Sequence, residues 1–86
     1  MQNEIYAFIN NIIYDMDKTV DFALDRRTGR EWCISELNNE YKEGFGALLF
    51  SKCYAHSITE FEYDALLDRI NDARESALQR LAEEYK

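Results

Sequence analysis

The side chains able to attack a substrate, relay a proton or hold a metal are few in this chain: Cys33, Cys53 and a single histidine, His56. A nucleophilic Ser or Cys works beside a base that a third group orients. Cys53 and His56 stand three residues apart, yet the sequence offers them no orienting partner, no glycine-rich nucleophile turn and no oxyanion loop. As zinc ligands, Cys33, Cys53 and His56 make three donors, where a structural site uses four in paired short spacings. Phosphate-cradling glycine loops and calcium loops are absent from the sequence as well. The expectation is a non-enzymatic protein with no catalytic residues, no metal and no cofactor. Two cysteines are too few for a secreted disulfide framework, so both read as reduced thiols acting as small hydrophobes.

Carboxylates are the abundant chemical group, with 17 Asp and Glu against 10 Lys and Arg and a net charge of −7. That balance disfavours direct tracking of a phosphate backbone and favours a basic protein partner. Asp64, Asp68, Asp72 and Glu75 recur at steps of four and three. On a helix such steps stack the four side chains on one face, about 150° from the apolar stripe. Neighbouring carboxylates are then about 6 Å apart, close to the phosphate spacing of a nucleic-acid strand. Glu36, Glu40 and Glu43 repeat the pattern upstream. Two readings follow: an ordinary solubilising face, or a nucleic-acid-like surface that occupies a basic groove, as on a nucleic-acid enzyme. The basic residues cluster once, at Arg26, Arg27 and Arg30 near Trp32. This group reads as a solvated tip paired with Asp25 and Glu31, or else as a local anion contact.

Tyr14, Phe50, Tyr54 and Phe61 fall on the polar sides of their helical wheels, where a monomer has little reason to show large aromatics. They imply a second buried surface. It is either an internal hairpin laid across the helices or a partner chain, which would make the protein a homodimer.

The elements that must position these groups are legible by period. Ile5, Phe8, Ile9, Ile12, Ile13 and Met16 form one stripe at three- and four-residue steps, predicting a helix over 3–17. From Thr19 the pattern changes to alternation, with Val20, Phe22 and Leu24 before Arg26-Arg27-Thr28-Gly29 and Trp32 and Ile34 after it. A period of two predicts a β-hairpin over 19–35, with Gly29 supplying the positive φ of its loop. The rival reading runs the first helix on to Arg27 with Gly29 as its C-cap, which leaves Phe22 turned away from the stripe. Leu37, Tyr41, Phe45, Leu48 and Lys52, with Leu49 beside them, return to helical spacing over 36–55. Gly44 and Gly46 weaken that helix and call for a close packing contact there, or for a later start.

Thr59-Glu60-Phe61-Glu62 is a capping box, flanked by Ile58 and Tyr63 at the spacing of a hydrophobic staple. Behind it Leu66, Leu67, Ile70, Ala73, Ala77, Leu78, Leu81 and Tyr85 form one stripe. The closing helix so predicted is about 40 Å long.

One domain over residues 1–86 is expected, since no proline, linker or repeat divides the chain. Its expected fold is α+β, mainly α: a helix, a β-hairpin and an antiparallel helix pair. If the hairpin fails, the chain becomes an all-α three-helix bundle. Apolar runs stay well short of the ~20 residues of a membrane span, and MQNEIYAFINN lacks the order of a signal peptide, so a cytoplasmic location and no membrane partner are expected.

In style, the tight Ile58-Thr59 turn and the helix opening Glu60-Phe61-Glu62-Tyr63 resemble the short acidic proteins of phages and bacterial mobile elements. The resemblance is confined to the last third of the chain and transfers no functional residue. It implies an inhibitor of host-defence nucleases, anti-CRISPR proteins among them, that places acidic residues in a nucleic-acid channel.

Overall fold

The computed structural model describes the backbone of residues 2–84 and the side chains of 4–84. Three helices follow in order, α1 (Gln2–Arg26), α2 (Arg30–Cys53) and α3 (Glu60–Glu84), and each packs against both others. At 1.5 Å per residue, helices of 24 or 25 residues are about 37 Å long, which accounts for the 43 × 17 × 17 Å envelope. Short connections make neighbours antiparallel, so α1 and α3 run one way and α2 the other.

The hairpin expected over residues 19–35 does not form. Those residues are the last two turns of α1, a turn at residues 27–29, and the start of α2; there is no strand among the described residues. The chain is an all-α three-helix bundle. The deciding feature is that the apolar stripe does not stop at Met16. Ile5, Ile9, Ile12, Met16, Val20 and Ala23 continue at steps of four and three, and all are buried. The alternation of Val20, Phe22 and Leu24 is real but coincidental. Residues two apart lie 200° apart on a helix, so Val20 enters the core while Phe22 turns away to a tilted ring contact with Trp32, 5.5 Å between centroids.

Gly29 likewise serves differently from expectation. Its φ is −60° and ψ 148°, and it is the N-cap of α2, its carbonyl accepting from Cys33 N at 3.3 Å. The left-handed residues of the two turns are Arg27 (φ 55°) and His56 (φ 51°), neither a glycine. A left-handed L-residue costs about 1–2 kcal/mol.

The core is one cluster drawn from all three helices, with Ile9, Met16, Val20, Leu37, Leu48, Ile70 and Leu81 essentially inaccessible. Gly44 marks its tightest point. A Cβ there would meet Ile70 Cδ1 at 3.2 Å, Ile12 Cγ2 at 3.6 Å and Ile9 Cδ1 at 3.7 Å, so the missing side chain is what lets α1 and α3 both close on α2. Gly46 has nothing within 4 Å.

The α3 start matches its sequence signature. Thr59 N donates to Glu62 Oε1 at 2.8 Å, Glu62 N donates to Thr59 Oγ1 at 3.0 Å, and Ile58 and Tyr63 are both buried. The expected stripe of α3 packs as read as far as Leu81; Tyr85 lies outside the described residues.

Candidate functional site: the outer face of α3 and the seams beside it

The arrangement of α3 is set by what its arginines do. Arg69 donates to Asn10 Oδ1 of α1 at 2.6 Å. Arg74 donates to Asn38 Oδ1 of α2 at 3.3 Å and lies 4.1 Å from the centroid of the Tyr41 ring. Arg80 pairs with Asp17 at 3.0 Å and, more closely, with Asp21, both on α1. The Arg80 hydrogen bond holds the Asp21 carboxyl below the usual carboxylate range, although partial burial opposes the shift. All three cations of α3 are thus drawn sideways into the seams with α1 and α2.

What remains on the outer side is acidic. Asp64, Asp68, Asp72 and Glu75 are all exposed, and among the described residues no side-chain hydrogen bond or ion pair engages any of them. From Asp64 to Glu75 they span about 16 Å of helix. Phe61, 81% exposed, precedes them by one turn on the same side.

Glu36, Glu40 and Glu43 do not extend this face. Glu40 turns to α1, where its Oε2 accepts from Thr19 Oγ1 at 2.6 Å. Burial raises its carboxyl above the usual range; the Thr19 bond opposes that rise, and the nearby charges of Asp15, Glu36 and Glu43 reinforce it. The second acidic line therefore borders the α1–α2 seam, which in a three-helix bundle lies across the axis from α3.

The expected self-association residues also divide. Phe50 and Tyr54 stack on each other at 5.8 Å where α2 ends, and Phe61 stands at the same end of the bundle. All three are well exposed. No hairpin covers them, because none exists. Tyr14 sits apart, lining a groove of about 480 Å³ between α1 and α3 with Ile13, Ala73 and Arg80, the Lys18 ammonium 5.3 Å from its ring centroid.

Cys33 and Cys53 are free, 20 positions apart on one helix and so about 30 Å from each other. That distance forbids a disulfide and a shared metal. Cys33 is buried and donates weakly to the Thr19 carbonyl at 4.0 Å; burial, followed by the charge of Glu40, raises its thiol pKa. Cys53 and His56 are both exposed at the α2–α3 turn, with no hydrogen bond joining them. Of the basic cluster, Arg26 lies 5.1 Å from the Phe22 centroid and pairs with Asp25 at 3.7 Å, both side chains being largely exposed. Such a pair contributes about 0–1 kcal/mol.

A second recess was not legible in the sequence. Asp15, Thr19 and Phe22 of α1 and Trp32 and Glu40 of α2 line a groove of about 370 Å³. The signal was the 4–3 spacing of 15, 19 and 22, which a hairpin reading hides. None of the helices is long and apolar enough to cross a membrane among the described residues. Comparison with protein families, with curated proteins and with solved structures finds no match to this chain.

Proposed function

We propose that this protein is a non-enzymatic binding module whose α3 outer face engages a basic surface of another protein, of the kind a nucleic-acid enzyme uses to hold phosphates, and inhibits it by occupying that surface. The observation that carries the reading is the segregation of charge on α3. Its arginines are committed to α1 and α2, while Asp64, Asp68, Asp72 and Glu75 face solvent unpaired. Like charges aligned at helical spacing disfavour an isolated helix, and a basic partner would reverse that effect. Phe61 at one end of the face supplies an apolar anchor of the sort that interfaces bury.

The test is capture of partners from a bacterial lysate with salt-graded elution, followed by affinity measurements on the captured protein. Charge reversal by Asp64→Lys, Asp68→Lys and Asp72→Lys should weaken binding by roughly 100-fold at low salt. Unchanged affinity of the triple variant would sink the electrostatic reading.

The cluster of Phe50, Tyr54 and Phe61 at one end favours a second reading, a structural or regulatory homo-oligomer. Sedimentation should then show mass rising with concentration and little dependence on salt. A monomer at roughly tens of micromolar removes it.

A further inference from the structure

We propose that the α1–α2 groove is a receptor for an arginine side chain of a partner protein, with Trp32 as its stacking surface, Phe22 beside it, and Asp15 and Glu40 as its acceptors. It lies across the bundle from α3 and stands independently of the α3 reading.

The groove holds about 370 Å³ and combines two carboxylates with two aromatic rings, Phe22 and Trp32 being 44% and 40% exposed. Aromatic faces and carboxylates together select a cation that can also stack. The chain's own cations leave Trp32 and the two carboxylates open. Lys18 lines the groove, but its ammonium lies over Tyr14 at 5.3 Å. Arg26 covers Phe22 from the turn and pairs with Asp25, leaving Trp32 and both carboxylates without a cation.

Glu40 carries the strongest sign of an absent donor. Its Oε2 accepts from Thr19, whereas Oε1 is shielded from solvent and has no hydrogen-bond partner. An unpartnered buried acceptor is destabilising, and a donor relieves it. The terminal torsion of a glutamate is soft, and in the proposed complex the carboxylate turns on binding to present that oxygen to the groove. Burial is the main reason that the Glu40 carboxyl is raised, and Asp15, Glu36 and Glu43 reinforce the rise by adding negative potential around it. A guanidinium suits this setting better than an ammonium. It is planar, weakly hydrated, able to stack on an indole, and forked to reach two acceptors.

Trp32 is the single tryptophan of the chain, so its fluorescence reports on this groove directly. The experiment titrates the full chain with a blocked tetra-arginine peptide, and in parallel with tetra-lysine, at low salt. Tetra-arginine should give a saturable change in Trp32 emission, with tetra-lysine at least about fivefold weaker. Glu40→Gln, which keeps the shape of the side chain, should weaken tetra-arginine binding by about tenfold, and Asp15→Asn, at an exposed position, by about threefold. The triple change Asp64→Asn, Asp68→Asn and Asp72→Asn should leave the Trp32 response within about twofold, because those residues lie on the far side. The proposal is overturned if no saturable response occurs, if tetra-lysine matches tetra-arginine, or if Glu40→Gln and Asp15→Asn both bind as the wild type does. A normal Trp32 response in a protein whose α3 reversal leaves partner affinity untouched would instead defeat only the α3 reading.

Discussion

Glu40 shows how one side chain can serve two ends. Half-buried, bonded to Thr19 through one oxygen and unpartnered at the other, it is a carboxylate whose charged form the fold disfavours. A group whose folded-state pKa is raised helps stability fully below its unfolded pKa, and that help is lost as pH rises through the folded value. At neutral pH Glu40 is therefore a liability to folding. Glu40→Gln should raise unfolding free energy at pH 7 by a few tenths to about 1 kcal/mol, a figure reduced by the residue's remaining exposure. The gain should shrink as pH falls from the raised folded-state value of Glu40 to the ordinary carboxylate range, and vanish below it, where the wild-type side chain is neutral in both states. Urea denaturation at several pH values checks both parts, and equal stability of the two proteins at pH 7 would contradict them. A destabilising acid that lines the same groove as Trp32 is the group that the proposed arginine would engage.

At the scale of the element, α3 shows local rules and tertiary packing in agreement. Its capping box closes reciprocally between Thr59 and Glu62. The backbone amide of Thr59 is the main reason that the Glu62 carboxyl lies below its usual range, with further hydrogen bonds from Tyr6 and the Thr59 hydroxyl. A depressed carboxyl stabilises the fold above its unfolded pKa, and that contribution is lost as pH falls through the folded value. Thr59→Ala removes the acceptor for the Glu62 amide and should cost about 1 kcal/mol at neutral pH, whereas Thr59→Ser should recover most of it. Thermal melts of the two variants decide the point; an alanine variant as stable as the serine one would show that the cap contributes nothing. In α2 the same logic works less cleanly. Its buried line is Cys33, Leu37, Gly44, Leu48 and Ser51; of the expected stripe Leu37 and Leu48 enter the core, whereas Tyr41 is half-buried under Arg74 and Phe45 is exposed, the two rings stacking at 6.3 Å. Gly44 and Ser51 are buried where Phe45 is not, because the close approach of the helices at that line excludes a large ring.

For the whole molecule, the two glycines of α2 separate a requirement of the bundle from a local weakness. Gly44 sits where Ile9, Ile12 and Ile70 converge, so Gly44→Leu should force the helices apart and cost about 3 kcal/mol or more. Gly46 faces open space, and Gly46→Ala should raise stability by about 0.5–1 kcal/mol through helix propensity alone. Denaturant unfolding of both variants, with the opposite signs expected, measures how far the bundle depends on that one close approach. A Gly44→Leu protein as stable as the wild type would mean that the core can open there without loss.

Several features were settled by the sequence alone because they depend on neighbours within a turn or two. These are the cap and staple at Ile58–Tyr63, the stripe of α3, the stripe from Ile5 to Met16 apart from Phe8, which is exposed, and the alignment of Asp64, Asp68, Asp72 and Glu75 on one helix face. Residues 19–35 were not, since a short apolar alternation is compatible with a strand and with a helix whose side chains are claimed by two different neighbours. Val20 and Ala23 had a core to enter, and Phe22 had Trp32 to meet, only once α2 and α3 had closed around α1. Charge followed the same division. The spacing of the acids is a local property. Which of them face solvent, and where the arginines of α3 go, was decided by the packing of three helices, because a side chain's partner across a seam lies as many as 63 residues away in the chain.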